Sequence, residues 1–207
     1  MRRILFLAFD RMQLLDLVGP ADVFDAATRA LGAAPGIDTA QALEVARRRL
    51  DDQTGYRVLV ATPDGQPVRA ASGVQIGADA AFDDLPADGI DTIMVSGGLF
   101  VDEALEDGRL VATLRRLAPA ARRTASVCSG ALVLAAAGLL DGRRATAHWA
   151  AGRTLKERHP DVRLQPDRIF VRDGSVLTSA GVTAGMDLAL ALVEEDHGPE
   201  VARIVAR

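Results

Sequence analysis

The one cysteine of the chain, Cys128, stands in the stretch Thr124-Ala125-Ser126-Val127-Cys128-Ser129-Gly130-Ala131-Leu132, where a short apolar strand runs into an Ala- and Leu-rich helix. A cysteine at such a junction lies beside the unpaired N–H groups of a helix N-terminus, which favour an anion and so favour thiolate over thiol. Ser126-x-Cys128-x-Gly130 also has the outline of a nucleophile elbow, the turn that lifts a reactive side chain above a sheet. The chemistry to expect is that of a low-pKa thiol open to electrophiles and oxidants. The alternative is a small buried hydrophobe that does nothing but fill space.

Other residues of the right type lie along the chain. Asp16 is flanked by Leu15 and Leu17 in an apolar loop before Pro20, where it either caps the coming helix or projects into a site as an acid/base. Gly97 and Gly98 close a parallel strand, so their backbone can approach a ligand and their N–H groups can face an anion. His148 sits beside the single tryptophan, Trp149, as a structural histidine or a base. The three His and one Cys are scattered, which predicts no metal site, and the absence of a P-loop pattern predicts no nucleotide; no cofactor is expected.

The elements that must position these residues read as α/β. Ile4 to Phe9 is a continuous apolar run of the kind found in parallel strands covered on both faces. Tyr56–Ala61, Asp91–Val95 and the cysteine strand repeat the pattern, and Val68 and Val74–Ile76 suggest short strands about Gly73. Helices are expected from Pro20 to about Leu31, over Thr39–Leu50, Ala104–Ala118, Ser129–Gly138, Ala150–Arg158, Ala184–Glu195 and Glu200–Arg207. A hairpin turned at Asp173-Gly174 returns along Val176-Leu177-Thr178.

With 207 residues, 49% hydrophobic and 25% charged, the chain is expected to form one domain with a substantial core. A net charge of −4 argues against a broad nucleic-acid-binding surface. A lone cysteine rules out an internal disulfide, and the apolar run after Met1 is too short for a signal peptide or span, so we expect a cytoplasmic protein without membrane contact. The final helix runs to Arg207 without a cap, which suggests a chain that continues.

In order and spacing, Leu15-Asp16-Leu17-Val18-Gly19-Pro20, Ala61-Thr62-Pro63-Asp64-Gly65, Ser96-Gly97-Gly98, Ser126-Val127-Cys128-Ser129-Gly130, Ala145-Thr146-Ala147-His148-Trp149 and Ser179-Ala180-Gly181-Val182-Thr183-Ala184-Gly185 resemble the ThiJ/PfpI superfamily. The resemblance implies a flavodoxin-like three-layer sandwich, related to class I glutamine amidotransferases, with the cysteine on a strand-to-helix elbow and a homodimer. Two branches share these segments: isocyanide hydratases and the N-terminal domains of AraC-type transcription regulators. The tail from Leu190 to Arg207 is more similar to the regulators before their linker to a helix-turn-helix domain.

The resemblance therefore implies a ligand-sensing and dimerising domain over residues 1–207, with DNA bound only through a further C-terminal domain. In the hydratase alternative, Cys128 attacks an isocyanide carbon and Asp16 handles the proton. The pocket residues implied are Gly97, Gly98, Ser129, Gly130, His148 and Thr183, around a small-molecule effector or substrate. Ser129 follows Cys128 where peptidase-like members place a histidine, which argues against peptidase or glutaminase activity.

Overall fold

The computed structural model describes residues 1–31 and 55–207. The helix expected over Thr39–Leu50 lies outside them.

Strand β1 (Arg2–Leu7) is buried from Ile4 to Leu7 because it runs through the interior of a seven-stranded sheet. Its parallel neighbours are β2 (Tyr56–Thr62) on one side and β6 (Thr92–Val95) on the other. Beyond β6 come β7 (Arg123–Val127) and β11 (Val176–Ser179), also parallel; β5 (Ala80–Ala81) extends the opposite edge and was not expected. The antiparallel β10 (Phe170–Asp173) closes the sheet through the Asp173-Gly174 hairpin. The interior order β2-β1-β6-β7-β11 is the flavodoxin arrangement. Two small sheets, β3 (Val68–Arg69) with β4 (Gln75–Ile76) and β8 (Arg144–Ala145) with β9 (Arg163–Leu164), lie outside it.

Helices cover both faces, as a sheet of continuous apolar strands requires. Helices α1 (Leu14–Leu31), α6 (Ala184–His197) and α7 (Pro199–Val205) pack together on the face that carries Val127, where Gly185 lies against both that side chain and Pro20. On the other side α2 (Val101–Asp107), α3 (Arg109–Leu117), α4 (Gly130–Ala136) and α5 (Trp149–Arg158) form the second layer. No helix among the described residues is long and apolar enough to cross a membrane.

Two expected boundaries moved. The first helix begins at Leu14, six residues before Pro20, so Asp16 belongs to its first turn and not to a loop. A proline there removes one early intrahelical hydrogen bond, which packing against the sheet outweighs. The helix expected over Ala104–Ala118 is two, divided at Gly108, whose φ of 74° is left-handed.

Candidate functional site

The carboxyl ends of β1, β6 and β7 open on one edge of the sheet. Since the chain leaves β1 first toward β2 and later toward β6, this edge is a topological switch point, where open α/β sheets form their crevices.

Cys128 follows the last residue of β7 and has φ 61°, a left-handed value that non-glycine residues adopt at a cost of about 1–2 kcal/mol. The elbow is over-determined. Its N–H donates to Ser179 C=O at 3.2 Å, and its C=O accepts from His148 N–H at 3.4 Å. At Gly130 a Cβ would lie 2.5 Å from Val95 C=O, and at Gly97 one would lie 2.5 Å from Ser129 N, so only glycines let the two loops touch. Cys128 as a whole is 7% exposed.

Asp16 arrives from the first turn of α1 and is fully buried. Gly97 N–H donates to its Oδ2 at 3.0 Å, while Oδ1 is buried without a hydrogen bond of its own. Burial pushes the carboxyl up to about 6, against the opposing pull of the Gly97 and Val182 N–H groups and the Cys128 thiol. The same burial, together with the adjacent Asp16 charge, pushes the Cys128 thiol up to about 12, which the Ser129 N–H only partly offsets. The low-pKa thiol expected from the elbow is therefore corrected. Helix α4 has seven residues, and its N-terminal field loses to desolvation and a neighbouring carboxylate. Burial and the neighbouring carboxyl both act against a thiolate at Cys128.

The two loop glycines are already committed. Gly97 N–H serves Asp16, and Gly98 N–H donates to Ser129 Oγ at 2.8 Å while that hydroxyl donates back to Gly98 C=O at 2.7 Å. They build the floor of the site and do not offer free donors to an anion, contrary to the expectation from the Gly-Gly pair. Among the expected residues, Gly98, Cys128, Ser129 and His148 line a half-open cavity of ≈ 180 Å³. Asp16, Gly97 and Gly130 lie behind that lining. Thr183 is exposed at the start of α6 and is not part of it.

His148 is placed by its backbone. Thr146 N–H donates to Thr178 Oγ1 at 2.8 Å, which fixes the segment against β11. The His148 Nδ1 accepts from Ala150 N–H at 3.3 Å and so caps α5. An accepting Nδ1 puts the ring hydrogen on Nε2.

Sequence reasoning missed much of the wall. Gln13, Leu132 and Val182 join the lining, as do residues of α2 and α5 such as Val101 and Ala151, and Gly181 sets its width: a Cβ there would stand 2.5 Å from His148 Cδ2 and 3.5 Å from Cys128 Sγ. Val182, β-branched with φ 52°, is the second strained residue of the site. The glycine in Ser179-Ala180-Gly181 was the available signal. Among the described residues no cluster of His, Cys, Asp or Glu side chains is placed to hold a metal ion.

The chain resembles known proteins along its whole length. It is 37% identical over 202 residues to the isonitrile hydratase of Pseudomonas putida, a match that covers 97% of this chain and 74% of that one. To the HTH-type transcriptional regulator CdhR of Pseudomonas aeruginosa it is 37% identical over 166 residues, covering 80% of this chain but only 48% of the regulator. The chain thus spans about half the length of that regulator. A ThiJ/PfpI family crystal structure from Pseudomonas syringae superposes with a TM-score of 0.79 at 28% identity, covering 99% of this chain and 72% of that one. The DJ-1/PfpI family model matches residues 2–195, and the chain belongs to that family.

Proposed function

We propose that this chain is the effector-sensing domain of an AraC-type transcription regulator, and that a small molecule enters the cavity floored by Cys128, Ser129 and His148. The observation that carries this reading is the geometry of the site: a half-open cavity over a buried Cys128, with the amides of Gly97 and Gly98 taken up by Asp16 and Ser129, suits recognition of a small molecule better than stabilisation of an anionic intermediate. Burial and the adjacent Asp16, which push the thiol up, support it. Relatives of the CdhR kind support it, as does the acidic balance of −4, which leaves DNA contact to a further domain beyond residue 207. In this reading the domain also forms a homodimer. Light scattering on the purified chain tests that, with a mass of twice 21.8 kDa expected.

The Asp16–Cys128 pair favours a second reading, that of an isonitrile hydratase. Sulfur would add to the isonitrile carbon as Asp16 takes the thiol proton and returns it to that carbon, giving a thioimidate. Water then adds and the thiol leaves, releasing the N-substituted formamide with overall uptake of one water. A carboxyl at about 6 is suited to both proton transfers. Incubation with an aryl isonitrile separates the two readings. The sensing reading predicts saturable binding without formamide; turnover that vanishes in Cys128→Ala would establish the hydratase instead.

A further inference from the structure

The cavity carries a charge pattern that the sensing reading does not use. Among the described residues no lysine or arginine lines it. Two arginines, Arg158 and Arg11, are each paired with an acid of α2, and one of these acids, Asp102, lines the cavity. Arg158 donates to Asp102 at 2.6 Å, and Arg11, stacked on the Phe100 ring, donates to both oxygens of Glu103 at 2.7 and 3.0 Å. Behind the thiol, Asp16 is faced by the Gly97 and Val182 N–H groups and the Cys128 thiol, and among the described residues no lysine or arginine pairs with it. The loop amides that could have received an anion are occupied, Gly97 by Asp16 and Gly98 by Ser129. The remaining wall combines apolar side chains, Val101, Leu132, Ala151 and Val182 among them, with the uncharged Gln13 and Thr154 and the Arg158-paired Asp102.

Resting on the sensing reading, we infer that the cavity accepts a compact neutral or cationic molecule with an apolar body, and rejects carboxylates and phosphates. Size limits the ligand as well. A cavity of ≈ 180 Å³ is close to the ~150 Å³ that accommodates benzene, so an occupant has roughly six to ten non-hydrogen atoms. The electrostatic selection is strong for the usual reason. An anion brought within several ångströms of an uncompensated carboxylate, away from bulk water, meets a repulsion that costs tenfold or more in affinity, whereas a cation is drawn in.

Benzamide, benzamidine and benzoate share one shape and differ in charge, so they isolate this property. Titrating each into the isotopically labelled protein at pH 7.5, and following the Gly98 and Val182 amide resonances, reads both affinity and place. The inference expects benzamide and benzamidine to shift these two amides, with benzoate at least about tenfold weaker. In Asp16→Asn the benzoate deficit should shrink by about that factor while benzamide is unaffected. Thr154→Lys, which adds a cation to the lining without touching the elbow, should raise benzoate affinity even if Asp16→Asn does not fold. Benzoate binding as well as benzamide in the unmodified protein overturns the charge selection and leaves the sensing pocket standing. If none of the three moves the Gly98 and Val182 amides, the inference falls and the pocket reading falls with it.

Discussion

Asp16 and Asp196 are both buried aspartates, at opposite ends of the same sheet, and their surroundings could hardly differ more. At the amino end of the strands, Asp196 accepts from Tyr56 Oη at 2.8 Å, from Arg122 at 2.7 Å and from Arg123 at 2.5 and 3.2 Å. The Arg123 side chain is 1% exposed, and Arg122 also reaches Asp91. Burial alone would raise the Asp196 carboxyl, but the Arg123 and Arg122 hydrogen bonds and the Arg123 charge hold it below the usual carboxylate range. At the carboxyl end, Asp16 meets backbone N–H groups and the Cys128 thiol but, among the described residues, no cation, and its carboxyl rises to about 6. One end satisfies its charge and ties α6 to the sheet. The other leaves charge, strain and a thiol uncompensated, as sites that act on small molecules do.

The comparison predicts opposite signs for similar mutations. The largest effect belongs to Asp196→Ala, which strands Arg123 without its main partner; a loss of about 3–5 kcal/mol is expected in urea unfolding at neutral pH. Because the Asp196 carboxyl is depressed, its contribution is present above the unfolded-state value and disappears as the pH falls through the folded one.

Asp16→Asn should do the reverse. Its folded value lies above the ordinary 3.8, so the wild-type protein is most favoured when Asp16 is protonated and loses roughly 3 kcal/mol as the pH rises from about 4 to about 6. The Asn variant is then more stable than wild type above pH 6, by up to that amount, and the gain fades toward pH 4. Denaturant midpoints at pH 4 and pH 7.5 read the difference directly. A variant that is less stable at both values would place Asp16 with Asp196 among the satisfied charges.

A smaller effect is expected at Gly181→Val. The added side chain must displace the His148 ring, so a loss of about 1–3 kcal/mol should accompany a cavity that no longer admits probes to Cys128. Chemical-shift titration of the variant checks the second half of that statement.

Much of the fold was legible because its strands are buried on both faces. Ile4–Leu7 and the cysteine strand read as parallel from unbroken apolar runs, and the alternation from Val162 to Val171 led correctly to the Asp173-Gly174 hairpin. The site was legible in part. Cys128 and Asp16 were singled out and do meet, as did Gly98, Ser129 and His148 around the cavity. What escaped depended on tertiary neighbours. Nothing local says that Leu14 starts a helix through Pro20, that the amides of Gly97 and Gly98 are consumed by Asp16 and Ser129, or that Thr183 is exposed outside the cavity lining. The thiol's pKa direction failed for the same reason: the elbow is written in the sequence, whereas the desolvating core and the carboxylate that oppose it come from distant segments.

The central claim is that Cys128 rests as a thiol above an ionised Asp16, and the pH dependence of its alkylation tests this most directly. Iodoacetamide labelling of the folded protein should be slow at pH 7 and climb without a plateau at least as far as pH 9, following a thiol at about 12. A rate that levels off near neutral pH would show a stable thiolate, and with it a site organised around an activated nucleophile.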